Sequence, residues 1–320
     1  MNITPSTEDR IWAAFSHLSS LGFGMGILLP IICWSERRRK SNYASFQSLQ
    51  ALGYQSLGYT IWLLSYLVAM IVALIILVGM SFQARQASQR FDSFFRPGTT
   101  LIFIFVFGFL ALYFLLPIIA AIACALGKDF RYPVMGNRLA RYLEYDPSQK
   151  SEEQTWLHED HEFRWVSAMG HFSILIIIWG MLAPLTTWIL YGKRSLFLKF
   201  QSIQTIVYQA GTTILYFAGI FFYLFGFLLL FVVMGVGGRP TFNSSEGLFG
   251  IVVFGLSLLI SLVLILILPF LHILGQWAGY RVLKGDNYRY PLIGKMVEKW
   301  IANKTPLSVD SSLSLKGESS

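Results

Sequence analysis

Residues 46–55 read Phe46-Gln47-Ser48-Leu49-Gln50-Ala51-Leu52-Gly53-Tyr54-Gln55. The pattern returns at 200–209 as Phe200-Gln201-Ser202-Ile203-Gln204-Thr205-Ile206-Val207-Tyr208-Gln209. Phe, Gln, Ser, Gln, Tyr and Gln recur at one spacing, each time opening a long apolar run. On a helix, Gln47, Gln50 and Tyr54 fall at i, i+3 and i+7, a polar stripe on an otherwise apolar rod. Gln201, Gln204 and Tyr208 repeat it. A stripe at headgroup depth would stay wet. One turned into a helical bundle must find partners within the protein, because lipid offers none. Buried amides more often join helices than bind ligands, so a structural role comes first.

Working outward, the chain of 320 residues is 55% hydrophobic and only 13% charged, with 27 Phe, 15 Tyr and 9 Trp. Soluble domains carry about 25% charged residues, so this balance belongs to a membrane protein. The apolar runs 57–80, 99–125, 212–236 and 248–271 each reach the ~20 residues that a spanning helix needs. The polar start, where Arg10 and Trp12 lead into a helix, does not read as a signal peptide. Cys33 and Cys124 lie within apolar segments and form no disulfide framework. The net charge of +8 fits loops facing anionic lipid, with no nucleic-acid partner.

The repeat extends well beyond the quoted stretch. Residues 10–55 align with 164–209 without a gap, pairing Arg10 with Arg164, His17 with His171, Gly26 with Gly180, Pro30 with Pro184 and Trp34 with Trp188. A second block, 127–136, aligns with 285–294 through Gly, Arg-Tyr-Pro and a final Gly. Shared apolar composition would not keep His, Pro, Trp and Gln in register. The expected fold is an all-α polytopic membrane protein, a tandem duplication of a three-segment helical domain with four to six spans. Its expected parts are membrane repeat 1 (1–142), an acidic hydrophilic linker (143–163), membrane repeat 2 (164–302) and a disordered Ser-rich tail (303–320).

Two topologies compete. If the first segment of each copy (10–34 and 164–188) crosses, six spans result and the copies are inverted, as in many transporters. If it dips in and returns, four segments cross and the copies are parallel. All Lys and Arg except Arg85, Arg90, Arg96 and Arg239 then share one face, as the positive-inside rule requires. Gly22, Gly24, Gly26 and Pro30 offer break points, and the second copy keeps Gly180 and Pro184. The charges favour the parallel arrangement.

Candidate chemistry is sparse. Arg10 and His17 lie two turns apart on one face, and Arg164 and His171 repeat this. The two histidines suit hydrogen bonding to the glutamine stripe better than a bis-histidine haem or a proton relay. His158-Glu159-Asp160-His161 has metal-ligand residue types but no second cluster to complete a site, so it reads as a solvated charge run. The apolar segments hold no Asp or Glu, and no nucleophile or phosphate-loop motif is present. No cofactor and no catalytic residue are expected. Arg37, Arg38, Arg39, Lys40, Lys193 and Arg194, with Arg131 and Arg289 beside the Tyr-Pro block, are read as orienting the chain against anionic lipid. In Gly127-Lys128-Asp129-Phe130-Arg131-Tyr132-Pro133, Gly terminates a helix, Tyr sits at headgroup depth and Pro fixes an extended exit.

Phe46-Gln47-Ser48-Leu49-Gln50-Ala51-Leu52 resembles the Phe-His-x-x-Gln-Ala-Leu signature of the Tic-twenty-like superfamily, and Tyr288-Arg289-Tyr290-Pro291-Leu292-Ile293-Gly294 resembles the block that closes its bacterial domains. Gln47 and Gln201 stand where a His is common in that family, and this chain carries two domains rather than one. The resemblance implies a membrane component related to protein import, or a bacterial relative without a settled role. A non-enzymatic scaffold or translocation-related component in the bacterial inner membrane is therefore expected, its basic loops cytoplasmic and a membrane protein or polypeptide as partner. A small-solute transporter is the alternative, and a haem protein or membrane enzyme a more distant one.

Overall fold

The computed structural model describes residues 5–84, 91–147, 156–235 and 245–304. Among them are ten α-helices and no strand. The first copy contains α1 (Thr7–Leu18), α2 (Leu28–Arg37), α3 (Asn42–Ala84), α4 (Phe91–Ala125) and α5 (Met135–Tyr142). The second contains α6 (Glu159–Phe172), α7 (Leu182–Tyr191), α8 (Leu196–Gly235), α9 (Ser245–Leu283) and α10 (Ile293–Lys304). The molecule is an all-α membrane protein built as a tandem duplication. The expected tail lies outside the described residues from 305 onward, as do Arg85, Arg90 and Arg239.

The first segment of each copy, for which the sequence left crossing and re-entrant readings open, is two helices joined by a turn, α1 with α2 and α6 with α7. By length and hydropathy Thr7–Arg37 and Glu159–Tyr191 qualify as membrane spans, alongside Leu196–Val233 and Gly247–Leu283. Their geometry rules out crossing. A straight helix would hold residues 8 and 37 roughly 40 Å apart, yet Arg37 is ion-paired with both Glu8 and Asp9. In the second copy the rings of Phe163 and Tyr191 lie 5.8 Å apart. Each segment is a re-entrant hairpin whose two ends meet.

The turn at each tip, Ser19–Ile27 and Ser173–Met181, is tightly wound and is broken by one residue in a positive-φ conformation, Phe23 (φ 49°) and Ile177 (φ 50°). Gly26 and Gly180 make the reversal sterically feasible. A Cβ on either would fall 1.8 Å from the Ser19 carbonyl oxygen or 2.1 Å from that of Ser173. A backbone turn at membrane depth needs polar partners from the protein, and Gln55 and Gln209 supply them. Gln55 Nε2 donates to Ser19 Oγ at 2.8 Å, and Gln209 Nε2 donates to the Gly170 carbonyl at 2.8 Å. The tips carry exposed Leu21, Phe23 and Met25 in one copy and Ile178 and Trp179 in the other, apolar surface suited to lipid.

Helices α8 and α9 are long and apolar enough to cross a membrane, and α3 and α4 carry the apolar runs 57–80 and 99–125. Helix α3, with 43 residues, extends ~65 Å, about twice the hydrocarbon thickness. Its first half is buried against α1, α2 and α6, while farther on Ile61, Leu64, Val68 and Ile71 are exposed. Helices α8 and α9 approach closely where residues are small, Gly226 meeting Ser257 and Gly219 meeting Leu264.

The copies dock through α3 of the first and α6 of the second. Trp165 Nε1 donates to the Leu49 carbonyl at 2.9 Å, and its ring fills the space over Gly53. Trp34 stacks on Tyr191 and donates to Glu162 Oε1 at 3.0 Å. Glu162, only 1% exposed, also accepts from Arg38 at 2.7 Å. The end of the expected linker is therefore helical, with His158, Glu159 and Asp160 exposed and Glu162 buried. Helix α6 opens at Glu159, and Glu159 pairs with Arg38 and Arg39. Residues 148–155 lie outside the described residues.

Candidate functional site

The two glutamine stripes face inward and close on the loop that ends their own copy. In the first copy Gln47 Nε2 donates to Asp129 Oδ1 and to the Phe130 carbonyl, both at 3.0 Å. Gln50 Nε2 donates to Gln47 Oε1 at 3.1 Å and to the Phe130 carbonyl at 3.0 Å, while Gln50 Oε1 accepts from the Tyr132 backbone N–H at 3.0 Å. His17 bridges helix and loop, with Nε2 3.0 Å from Gln47 Oε1 and Nδ1 3.0 Å from the Tyr132 hydroxyl. Gln47 Oε1 only accepts, which assigns the Nε2–H tautomer and makes the Tyr132 hydroxyl the donor to Nδ1. Tyr54 stacks on Tyr132 at 4.2 Å and donates to the Tyr113 carbonyl.

The second copy reproduces this group by group. His171 meets Gln201 Oε1 and the Tyr290 hydroxyl, each at 3.0 Å. Gln204 reaches Gln201 and the Tyr288 carbonyl and accepts from the Tyr290 N–H. Tyr208 stacks on Tyr290 at 3.9 Å and donates to the Leu271 carbonyl. Two side-chain partners differ. Asn287 replaces Asp129 as the partner of the lead glutamine, and Thr205 adds a hydroxyl 2.9 Å from His171 Nδ1.

The closing loop is shaped to receive the amides. Gly127 (φ 74°) and Gly285 (φ 105°) end α4 and α9 with the paired backbone bonds of a left-handed cap. Gly136 leaves room for Gln50, whose Oε1 would lie 2.5 Å from a Cβ there. Tyr132 and Tyr290 are 3% and 2% exposed, enclosed by protein with each hydroxyl against the histidine of its own copy. The exit after proline is not simply extended, since Val134 and Leu292 both adopt φ 65°. Asp129, outside the spans, has its carboxyl raised above the ordinary value by burial, against the opposing pull of Arg131 at 3.1 Å.

Of the basic residues read as lipid contacts, Arg37 and Arg38 prove to be internal, 6% and 7% exposed. The hairpin ends and the seam between copies each place carboxylates against them, and a paired guanidinium tolerates burial that an unpaired one does not. Arg39 pairs with Glu159, Lys40 lies near Glu36, and Arg289 pairs with Glu298. Arg131 bridges Asp129 and Asn137. Lys193 is exposed and Arg194 lies over the Tyr191 ring, both on the short loop before α8. His158 and His161 approach ring to ring at 4.4 Å, but among the described residues no three His, Cys, Asp or Glu gather as a metal site. His17 and His171 each spend both ring nitrogens inside their own copy, so they do not face one another as a haem pair.

Sequence reading missed Gln55, Gln209 and Glu162. The first two were visible as the last identical pair of the quoted stretch. Glu162 aligns with Glu8 and carries no distinguishing local signal.

This geometry defines a duplicated, polytopic helical membrane protein whose repeated polar groups lock each copy internally. The chain belongs to the magnetosome magnetite crystal formation protein family (MamF/MmsF), whose family model matches residues 8–139 and 162–297. No curated protein and no solved structure matches it. The resemblance of residues 46–52 and 288–294 to the Tic-twenty-like superfamily is thereby corrected. Those short motifs encode how a helix clasps its closing loop, and that requirement is local and carries no function of its own.

Proposed function

We propose that this chain is a non-enzymatic scaffold of the bacterial membrane in which magnetite crystals form, its basic face cytoplasmic. The observation that carries the reading is the inward closure of both polar networks. His17, Gln47, Gln50 and their counterparts His171, Gln201 and Gln204 are buried and bonded within their own copy, leaving two rigid bodies joined by a buried ionic and aromatic seam. Groups so engaged hold a shape; they are not poised as nucleophiles or bases. Hairpin ends that meet on one side count against the small-solute carrier, which rested on inverted crossing segments.

The test is deletion of the gene in a magnetite-forming bacterium, with crystals measured by electron microscopy and the protein tracked by membrane fractionation. Altered crystal size or number, restored by the wild-type chain, supports the proposal. Unchanged crystals with the protein absent from crystal-bearing membranes would overturn it.

A further inference from the structure

A cavity of about 770 Å³ opens where the two copies meet, within the size range of small-ligand sites. Its walls come from α3, α4, α5 and the closing loop of the first copy, and from α6 and α9 of the second. Neither copy could form it alone. Its chemistry is graded along α3. At the basic face stand Arg138 and Lys284, both exposed and, among the described residues, neither paired with a carboxylate. Next comes an aromatic band that includes Tyr142 and Trp165. Roughly 10 Å deeper than Tyr54, seven residues along α3, the lining is apolar at Ile61 and Leu112, which are 61% and 52% exposed toward lipid.

The duplication supplies an internal control. The positions equivalent to Arg138 and Lys284 in the other copy are Met296 and Leu126. The fold thus requires a cation at neither place, and both cations line the cavity while remaining exposed. Cations at the water side, aromatic rings at interfacial depth and an apolar floor open sideways to the bilayer match one chemical class. A soluble anion would leave the apolar floor unused, and a neutral lipid would leave the cations unanswered.

We propose that this cavity binds an anionic glycerophospholipid, its phosphate between Arg138 and Lys284 and an acyl chain along Ile61 and Leu112. The lipid would seal the seam between the copies.

The test uses the full chain reconstituted with equal amounts of phosphatidylglycerol and phosphatidylcholine, washed in detergent and analysed by native mass spectrometry for retained lipid. The wild type is expected to keep phosphatidylglycerol selectively. Arg138→Ala with Lys284→Ala should lower that retention by on the order of tenfold. Ile61→Trp, which narrows the lipid-side opening without touching the cations, should lower it also, with unfolding temperatures showing that both variants remain folded. Equal retention of both lipids, or retention unaffected by either variant, would overturn the proposal. So would binding of inorganic phosphate at these cations with no lipid retained.

Discussion

The two copies solve the same problem with different chemistry at equivalent positions. The hairpin of the first is closed by ions, Asp9 against Arg37. The aligned residues in the second are Phe163 and Tyr191, and they close it by ring contact. Glu8 and Glu162 are likewise equivalent, yet Glu8 is 65% exposed by side chain and Glu162 is 1% exposed. A duplicated position keeps its place in the fold while its partner changes. The closing geometry is therefore the invariant, and the interaction that achieves it is open to substitution. Turn and amide network, by contrast, are kept nearly atom for atom.

This division can be broken at the tips first. Gly26→Ala and Gly180→Ala should each cost about 4 kcal/mol or more, because the added carbon meets backbone that cannot withdraw. Loss of a monodisperse folded species in detergent is the readout, and tolerance in one copy alone would show that the two turns are not equivalent. Next, Glu162→Ala leaves the buried Arg38 guanidinium only its longer contact with Glu159 at 3.4 Å and should cost about 3 kcal/mol. Glu8→Ala, at the equivalent but exposed place, should cost less than about 1 kcal/mol. Thermal unfolding of the pair measures how far burial alone decides the value of one aligned carboxylate.

Gln50→Leu and Gln204→Leu each leave a buried N–H and a carbonyl short of a partner, for about 2–4 kcal/mol per copy. Membrane insertion should persist while packing loosens, and a loss confined to one copy would show the networks to be unequal despite their matching atoms. The smallest effect is expected at Asp129→Asn, which gives the first network the amide that the second already has. Burial raises the Asp129 carboxyl, so the folded state binds its proton more tightly than the unfolded chain does. Its contribution is then greatest below the unfolded value of ~3.9 and declines as pH rises through the folded value. Unfolding temperatures should diverge in favour of the Asn variant from about pH 4 upward, by less than about 1 kcal/mol, with the Arg131 contact limiting the gain.

Much of this was legible in the residues. The spacing of Gln47, Gln50 and Tyr54 specified one polar face on the helix, but a wet interfacial position and an inward one were both compatible with it, and only the bonds to the closing loop decide between them. Gly26 and Pro30 marked the hairpin, and the one-sided distribution of Lys and Arg agreed with it. What could not be read depends on distance across the fold. Arg37 and Arg38 look like any basic loop until Asp9 and Glu162, 28 and 124 residues away, are brought against them. The break at Phe23 and Ile177 was equally hidden, since neither residue favours positive φ and both are held there by the turn around them.

The re-entrant hairpins carry a mechanical consequence. Each brings its two ends together beside the start of the long helices, so each copy sets four helical segments at that level against two beyond it. A body so built is a wedge, broad at the hairpin end and narrow at the other. It sits with least strain where the bilayer bows outward toward its broad end, as on the outer surface of a small vesicle.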